Sequence, residues 1–162
     1  MNGACFLKEL ILRRDPRVKS LLGSFESDDA ESSVFLEKIN DLIEEESFAL
    51  FNECFSECTL DMGKSLSKEE RNKKQLDDEK NLIYGEVDFH SFFRVLRKIN
   101  PVKGGTFYDL GSGTGRAVLA ARFTRDFSKC IGIEILHGLH LAGVAVLERL
   151  DCYIMLPIDF CR

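Results

Sequence analysis

The sequence predicts an α/β chain in which an acidic, helical front is followed by a short parallel sheet whose strands alternate with helices. Three observations carry that prediction. Apolar residues recur at spacings of three and four through the first half, while five-residue apolar runs alternate with helical patterns in the second. Glycine follows the same division, nine of the twelve lying after residue 80. So does charge: residues 1–80 hold 12 basic and 19 acidic side chains, against 10 and 8 in residues 81–162. The domain reading is a helical, acidic region over 1–80 and a partial α/β domain over 81–162.

In chain order, a short apolar run (Phe6, Leu7, Leu10, Ile11) is interrupted by Pro16, and the acidic stretch Glu26 to Glu31 reads as a solvated loop. A helix is expected to start at Ser32 or Ser33, with Phe35, Ile39, Leu42 and Ile43 on one face and acidic residues on the other. A second amphipathic pattern follows in Phe48, Phe51, Phe55 and Cys58, expected to pack on the α/β unit. Lys64 to Lys80 carries eleven charges in seventeen residues and reads as a solvated helix or mobile connector. Its basic triplet is too diluted by acids for a nucleic-acid patch.

The period then changes. Val87, Phe89, Phe92, Phe93, Leu96 and Ile99 predict a helix that Asn100-Pro101 ends, because proline disfavours helical geometry in the residue before it. Thr106 to Leu110 reads as a strand running into Gly111-Ser-Gly-Thr-Gly115. A helix over Ala117 to Ala121 follows, then a strand over Cys130 to Glu134, a helix over about 137–149 and a third strand over Cys152 to Leu156. Strand, helix, strand, helix, strand at these lengths is a right-handed parallel unit, that is, a partial Rossmann-like sheet of about three strands.

Composition narrows the class. With 162 residues, a net charge of −5 and 44% hydrophobic residues, the chain is globular in type. The longest run free of Asp, Glu, Lys and Arg, Ile135 to Leu147, is short of the roughly 18–20 apolar residues a membrane helix needs. The first ten residues have no basic n-region and reach charge at Lys8, unlike a secretory signal. Cys5, Cys54, Cys58, Cys130, Cys152 and Cys161 form no C-x-x-C pair and read as reduced thiols of an intracellular protein. His137 and His140 lack a third ligand nearby, so no metal site is expected.

The glycine loop carries the chemistry. Between a strand and a helix, glycines let a ligand approach backbone amides beside the positive end of the helix dipole. A dinucleotide fingerprint would place a third glycine where Arg116 stands; here Gly111, Gly113 and Gly115 are spaced two and two. That spacing, with Asp109 before it, suits the methionine part of S-adenosyl-L-methionine, Asp109 facing the ammonium end and repelling a misplaced phosphate. Glu134, closing the second strand, is positioned to accept both ribose hydroxyls. Asp159 and Phe160, after the third strand candidate, are candidates for the adenine, by hydrogen bond and by stacking.

Tyr84-Gly-Glu-Val-Asp-Phe89, then Phe107-Tyr-Asp-Leu-Gly-Ser-Gly-Thr-Gly-Arg-Ala-Val-Leu-Ala-Ala121, then Gly132-Ile-Glu-Ile-Leu136 resembles, in that order, the disruptor-of-telomeric-silencing type of histone lysine methyltransferase, a non-SET class. The resemblance covers roughly residues 83–160. It implies a class I methyltransferase fold, S-adenosyl-L-methionine as cofactor, a nucleosome-core histone lysine as substrate and a nuclear location. It also makes Tyr84 and Glu86 cofactor-site residues, on a loop that folds over the ligand. No sequence-specific nucleic-acid recognition and no membrane partner are implied. The family's lysine-channel motifs have no counterpart here, and no catalytic acid or base is named. Three of the family's seven strands can be fitted, so the chain is expected to be a fragment of a longer enzyme with an open edge on the first strand. Two other functions stay open: a class I methyltransferase with another protein or small-molecule substrate, and a non-catalytic module that only binds cofactor.

Overall fold

A computed structural model describes residue 17 and residues 29–76, 78–151 and 158–161. The architecture is α/β, with five helices and one sheet among these residues. Helix α1 spans Asp29–Cys54, α2 Leu60–Lys73 and α3 Phe89–Ile99. Strand β1 (Thr106–Leu110), helix α4 (Arg116–Thr124), strand β2 (Lys129–Ile133), helix α5 (His137–Asp151) and strand β3 (Ile158–Cys161) complete it. The sheet order is β1-β2-β3 with both pairings parallel. None of the described helices is long and apolar enough to cross a membrane.

The two amphipathic patterns of the front form one continuous helix of 26 residues, not two. Nothing between Ile43 and Phe48 breaks a helix: the intervening Glu44-Glu45-Glu46-Ser47 has no Gly or Pro, and Ser47 is buried. The helix also begins at Asp29, inside the stretch expected to be a loop; an acidic run suits the positive end of a helix dipole. Its far end supplies Phe51 and Cys54, and the following turn supplies Phe55 and Cys58, to a core shared with Val118, Leu119, Phe123, Cys130, Val146 and Leu150. The phenylalanine stripe therefore packs on the α/β unit, as its spacing predicts. Burial pushes the Cys54 thiol up to about 11 and the Cys130 thiol up to about 12, so both behave as apolar core groups.

Helix α3 is bounded by local chemistry. Asp88 caps it, its carboxylate accepting from the Ser91 amide at 2.8 Å, and Asn100 stops it in the left-handed region at φ 47°, just before Pro101. Val87 falls outside it.

The charged segment after residue 60 is docked rather than mobile. Most of α2 is exposed, but Gly63 and Ser67 are buried, and the Ser67 hydroxyl donates to the Leu82 carbonyl at 2.8 Å. Glu70 accepts from the amides of His137 and Gly138 at 2.9 and 2.8 Å, capping α5 from another element. Partial burial pushes its carboxyl up, yet the Gly138 amide, Lys74 and the His137 amide outweigh this and hold it at about 2.

The predicted third strand, Cys152 to Leu156, falls outside the described residues. The third strand among the described residues, β3, is Ile158–Cys161, so Asp159 and Phe160 sit within a strand. Phe160 pairs in register with Gly132, and Asp159 with Ile131.

Candidate functional site

The sheet's carboxyl end and the glycine loop build one pocket of about 100 Å³, lined by residues 81–85, Gly111, Gly113, Glu134, Ile135, Leu136 and Leu139. This is the place where open parallel sheets bind ligands, outside the ends of the strands. The loop is stitched to β2: the amides of Gly111 and Ser112 both donate to the Ile133 carbonyl, at 2.8 and 3.0 Å.

Glu134 follows β2 by one residue and is only 5% exposed. Its two oxygens accept from the Gly113 and Leu136 amides, each at 2.7 Å. A buried carboxylate held this way is fixed in orientation and keeps lone pairs free toward the pocket it lines. Asp109, half-buried on β1, lies close enough to feel it: burial, then the Glu134 charge, raises the Asp109 carboxyl above its ordinary value. Two acidic groups converging at a strand end favour cationic or hydroxylated ligands and oppose phosphate.

Two glycines need their lack of a side chain. Gly113, at φ 56°, lies under the Tyr84 ring, which a Cβ there would meet at 2.4 Å. Gly115, at φ 88°, is the N-cap of α4, and a Cβ on it would lie 2.2 Å from the Phe160 ring. Phe160 occupies a cradle of glycines, with Gly132 and Gly143 also against its ring.

Tyr84 and Glu86 join the loop from the other side. The Tyr84 hydroxyl donates to Glu86 at 2.7 Å and meets the Thr114 hydroxyl at 2.7 Å. Burial first, and the Glu86 carboxylate with it, push the tyrosine hydroxyl upward, so it stays protonated. The structure thus brings together Tyr84, Glu86, Asp109, Gly111, Gly113, Gly115, Glu134 and Phe160. It does not bring Asp159 to them: that carboxylate is on the opposite face of the sheet, paired with Lys129 and half-exposed.

Two residues that sequence reasoning passed over also matter. Arg116 forms an ion pair with Glu86 at 2.9 Å and donates to the Cys58 carbonyl at 3.0 Å. Glu70, taken for one charge among many, caps α5. Arg116 was visible only as the residue that spoils a dinucleotide fingerprint, and the capping role of Glu70 had no local signal, because the amides it accepts from lie 67 and 68 residues away.

Two comparisons with known proteins find similarity. A curated relative from Drosophila melanogaster, named histone-lysine N-methyltransferase, H3 lysine-79 specific, is 38% identical over 52 residues, which is 32% of this chain and 3% of the relative. The aligned stretch is therefore a small part of that protein. The model of the family described as histone methylation protein DOT1 matches residues 64–147, more than half of the chain, running from within α2 through the glycine loop into α5. The chain belongs to the histone methylation protein DOT1 family.

Proposed function

We propose that the chain binds S-adenosyl-L-methionine at the strand ends and serves methyl transfer to a protein lysine, with a nucleosome-core histone as substrate and the nucleus as its place of work. The observation that carries this is the convergence of Glu134 and Asp109 on a glycine loop whose Gly113 amide is itself bonded to Glu134. The donor set fits the ligand: a fixed carboxylate for the ribose hydroxyls, a second one for the ammonium end, and close backbone approach at Gly111 and Gly113.

The cofactor supplies an electrophilic methyl group on a sulfonium. The chain's own residues bind and orient: Glu134 and Asp109 hold the polar ends, Tyr84 and Glu86 form the roof, and Phe160 fills the floor between the glycines. Transfer to a neutral amine demands positioning more than a general base, so none of these residues is assigned proton transfer. Asp159 is left out of the site because its partner is Lys129. In this proposal residues 81–162 are the partial cofactor domain, and residues 1–80 the helical region that supports it.

The cavity's size adds a requirement. About 100 Å³ is well below the roughly 300–1,000 Å³ of small-molecule sites, so the cavity, of which residues 81–85 form one wall, has to widen for a nucleoside-sized ligand to enter. Calorimetric titration with S-adenosylhomocysteine tests the binding half. Saturable binding by the parent chain, lost in Asp109→Ala and Glu134→Ala, is expected; no binding by the parent would overturn the reading. Tritiated methyl transfer to nucleosomes, free histones and a histone-free extract then tests the substrate class.

A further inference from the structure

The Arg116 side chain sits at a junction of three elements. It projects from the first residue of α4, its Nε 2.9 Å from Glu86 and its terminal nitrogen 3.0 Å from the Cys58 carbonyl. Its guanidinium also lies over the Phe55 ring, 4.4 Å from the centroid, and 5.5 Å from that of Phe51. Both partners of the ion pair are largely buried, with side-chain exposures of 17% and 14%. A pair in such surroundings is costly to break, because whichever charge remains is left buried and alone. Glu86 in turn accepts from the Tyr84 hydroxyl, so the guanidinium reaches the ring that roofs Gly113 through a single carboxylate.

We infer that Arg116 is a positioning residue: it anchors the Tyr84–Glu86 loop over the glycine loop and ties it to the end of α1. Cys58 and Phe55, in the turn that follows α1, precede the family-matched residues 64–147, so this arginine joins the end of the front helical region, outside the match, to the loop inside it. The front helix thereby supports the site as well as the core. The planar guanidinium suits this role: its charge sits beside the carboxylate, a terminal nitrogen donates to a carbonyl, and its face lies on an aromatic ring, a combination an ammonium group cannot reproduce. The inference rests on the ligand reading above for its functional consequence, though the anchor itself belongs to the ligand-free chain.

The experiment is hydrogen exchange on the full 162-residue chain without ligand, for the parent, Arg116→Ala, Arg116→Lys and Glu86→Gln. Exchange across residues 81–87 is expected to quicken about tenfold in Arg116→Ala and in Glu86→Gln, with β1 and β2 unchanged and Arg116→Lys intermediate. The double variant should open the loop no further than either single one, since both break the same pair. Unchanged loop exchange in Glu86→Gln, additive effects in the double variant, or equal acceleration in the loop and in β1 and β2 would each overturn the anchor. If Arg116→Ala fails to fold, Glu86→Gln decides alone. Titration with S-adenosylhomocysteine separates the two readings. Loop opening without binding by the parent leaves the anchor standing and removes the ligand, whereas binding by the parent with an unaltered loop does the reverse.

Discussion

The two faces of the three-stranded sheet are made from alternate residues of the same strands, yet they have different fates. One face, with Phe107, Asp109, Cys130, Gly132, Ile158 and Phe160, is covered by helices; the other presents Tyr108 and Leu110 at 59% and 78% exposure, with Ile133 and Asp159 beside them. Parallel sheets are ordinarily covered on both sides. Among the described residues, the core and the candidate site draw on a single face and on the strand ends, and changes to the two faces should differ in cost accordingly.

The largest expected effect lies in the covered side. Phe123, 1% exposed on α4, contributes to the shared core, and Phe123→Ala should cost about 3–5 kcal/mol in urea denaturation. A loss under about 1 kcal/mol would mean that the core is looser than described. At the strand ends, Glu134→Gln keeps shape and removes charge; S-adenosylhomocysteine binding should weaken by about 1.5–3 kcal/mol. Unaltered affinity would take Glu134 out of the proposed site. Gly115→Ala should destabilise by about 1–3 kcal/mol, through left-handed strain and the encounter with Phe160.

A smaller effect comes from the cross-element cap. Glu70→Gln should cost about 1 kcal/mol, measurable as a lower melting temperature, with faster exchange at the first turn of α5. Its pH dependence has a definite sign. Glu70 titrates lower in the folded chain, at about 2 against 4.5, so its stabilisation is full above pH 4.5 and disappears as the pH falls from 4.5 toward 2. The Gln variant should lack that component of the acid transition. The smallest effect belongs to the bare face: Leu110→Ser should change stability by no more than about 0.5 kcal/mol while improving solubility. A cost above about 2 kcal/mol would show that this face is covered in solution.

What the sequence revealed follows the range of the interactions involved. The glycine loop, β1, β2 and α3 are set by neighbours in the chain, such as Asp88 with Ser91 and Gly115 at the head of α4, and they were legible. β2 needed a shift of one residue. The continuity of α1 was missed because two hydrophobic stripes resemble two helices when the polar residues between them are taken for a break. Strand β3, Ile158–Cys161, had little local signal because it is four residues long and is held from a distance, by Ile158 in the shared core and by a phenylalanine ring lodged among glycines from three other elements. Arg116 and Glu70 act across 30 and 67 residues of chain respectively, and charge alone gives no hint of such partners.

The Glu70 cap also bears on the order in which the molecule assembles. The β1–α4–β2 unit is local in sequence, and its contacts close short loops; the amides of His137 and Gly138 reach Glu70 only after most of the chain is in place. Helix α2, the 3₁₀ turn at Lys80–Leu82 and the loop to Glu86 should therefore fold onto an existing sheet as a late cooperative unit. The same segment should also open first, exposing the strand ends while the sheet beneath stays intact.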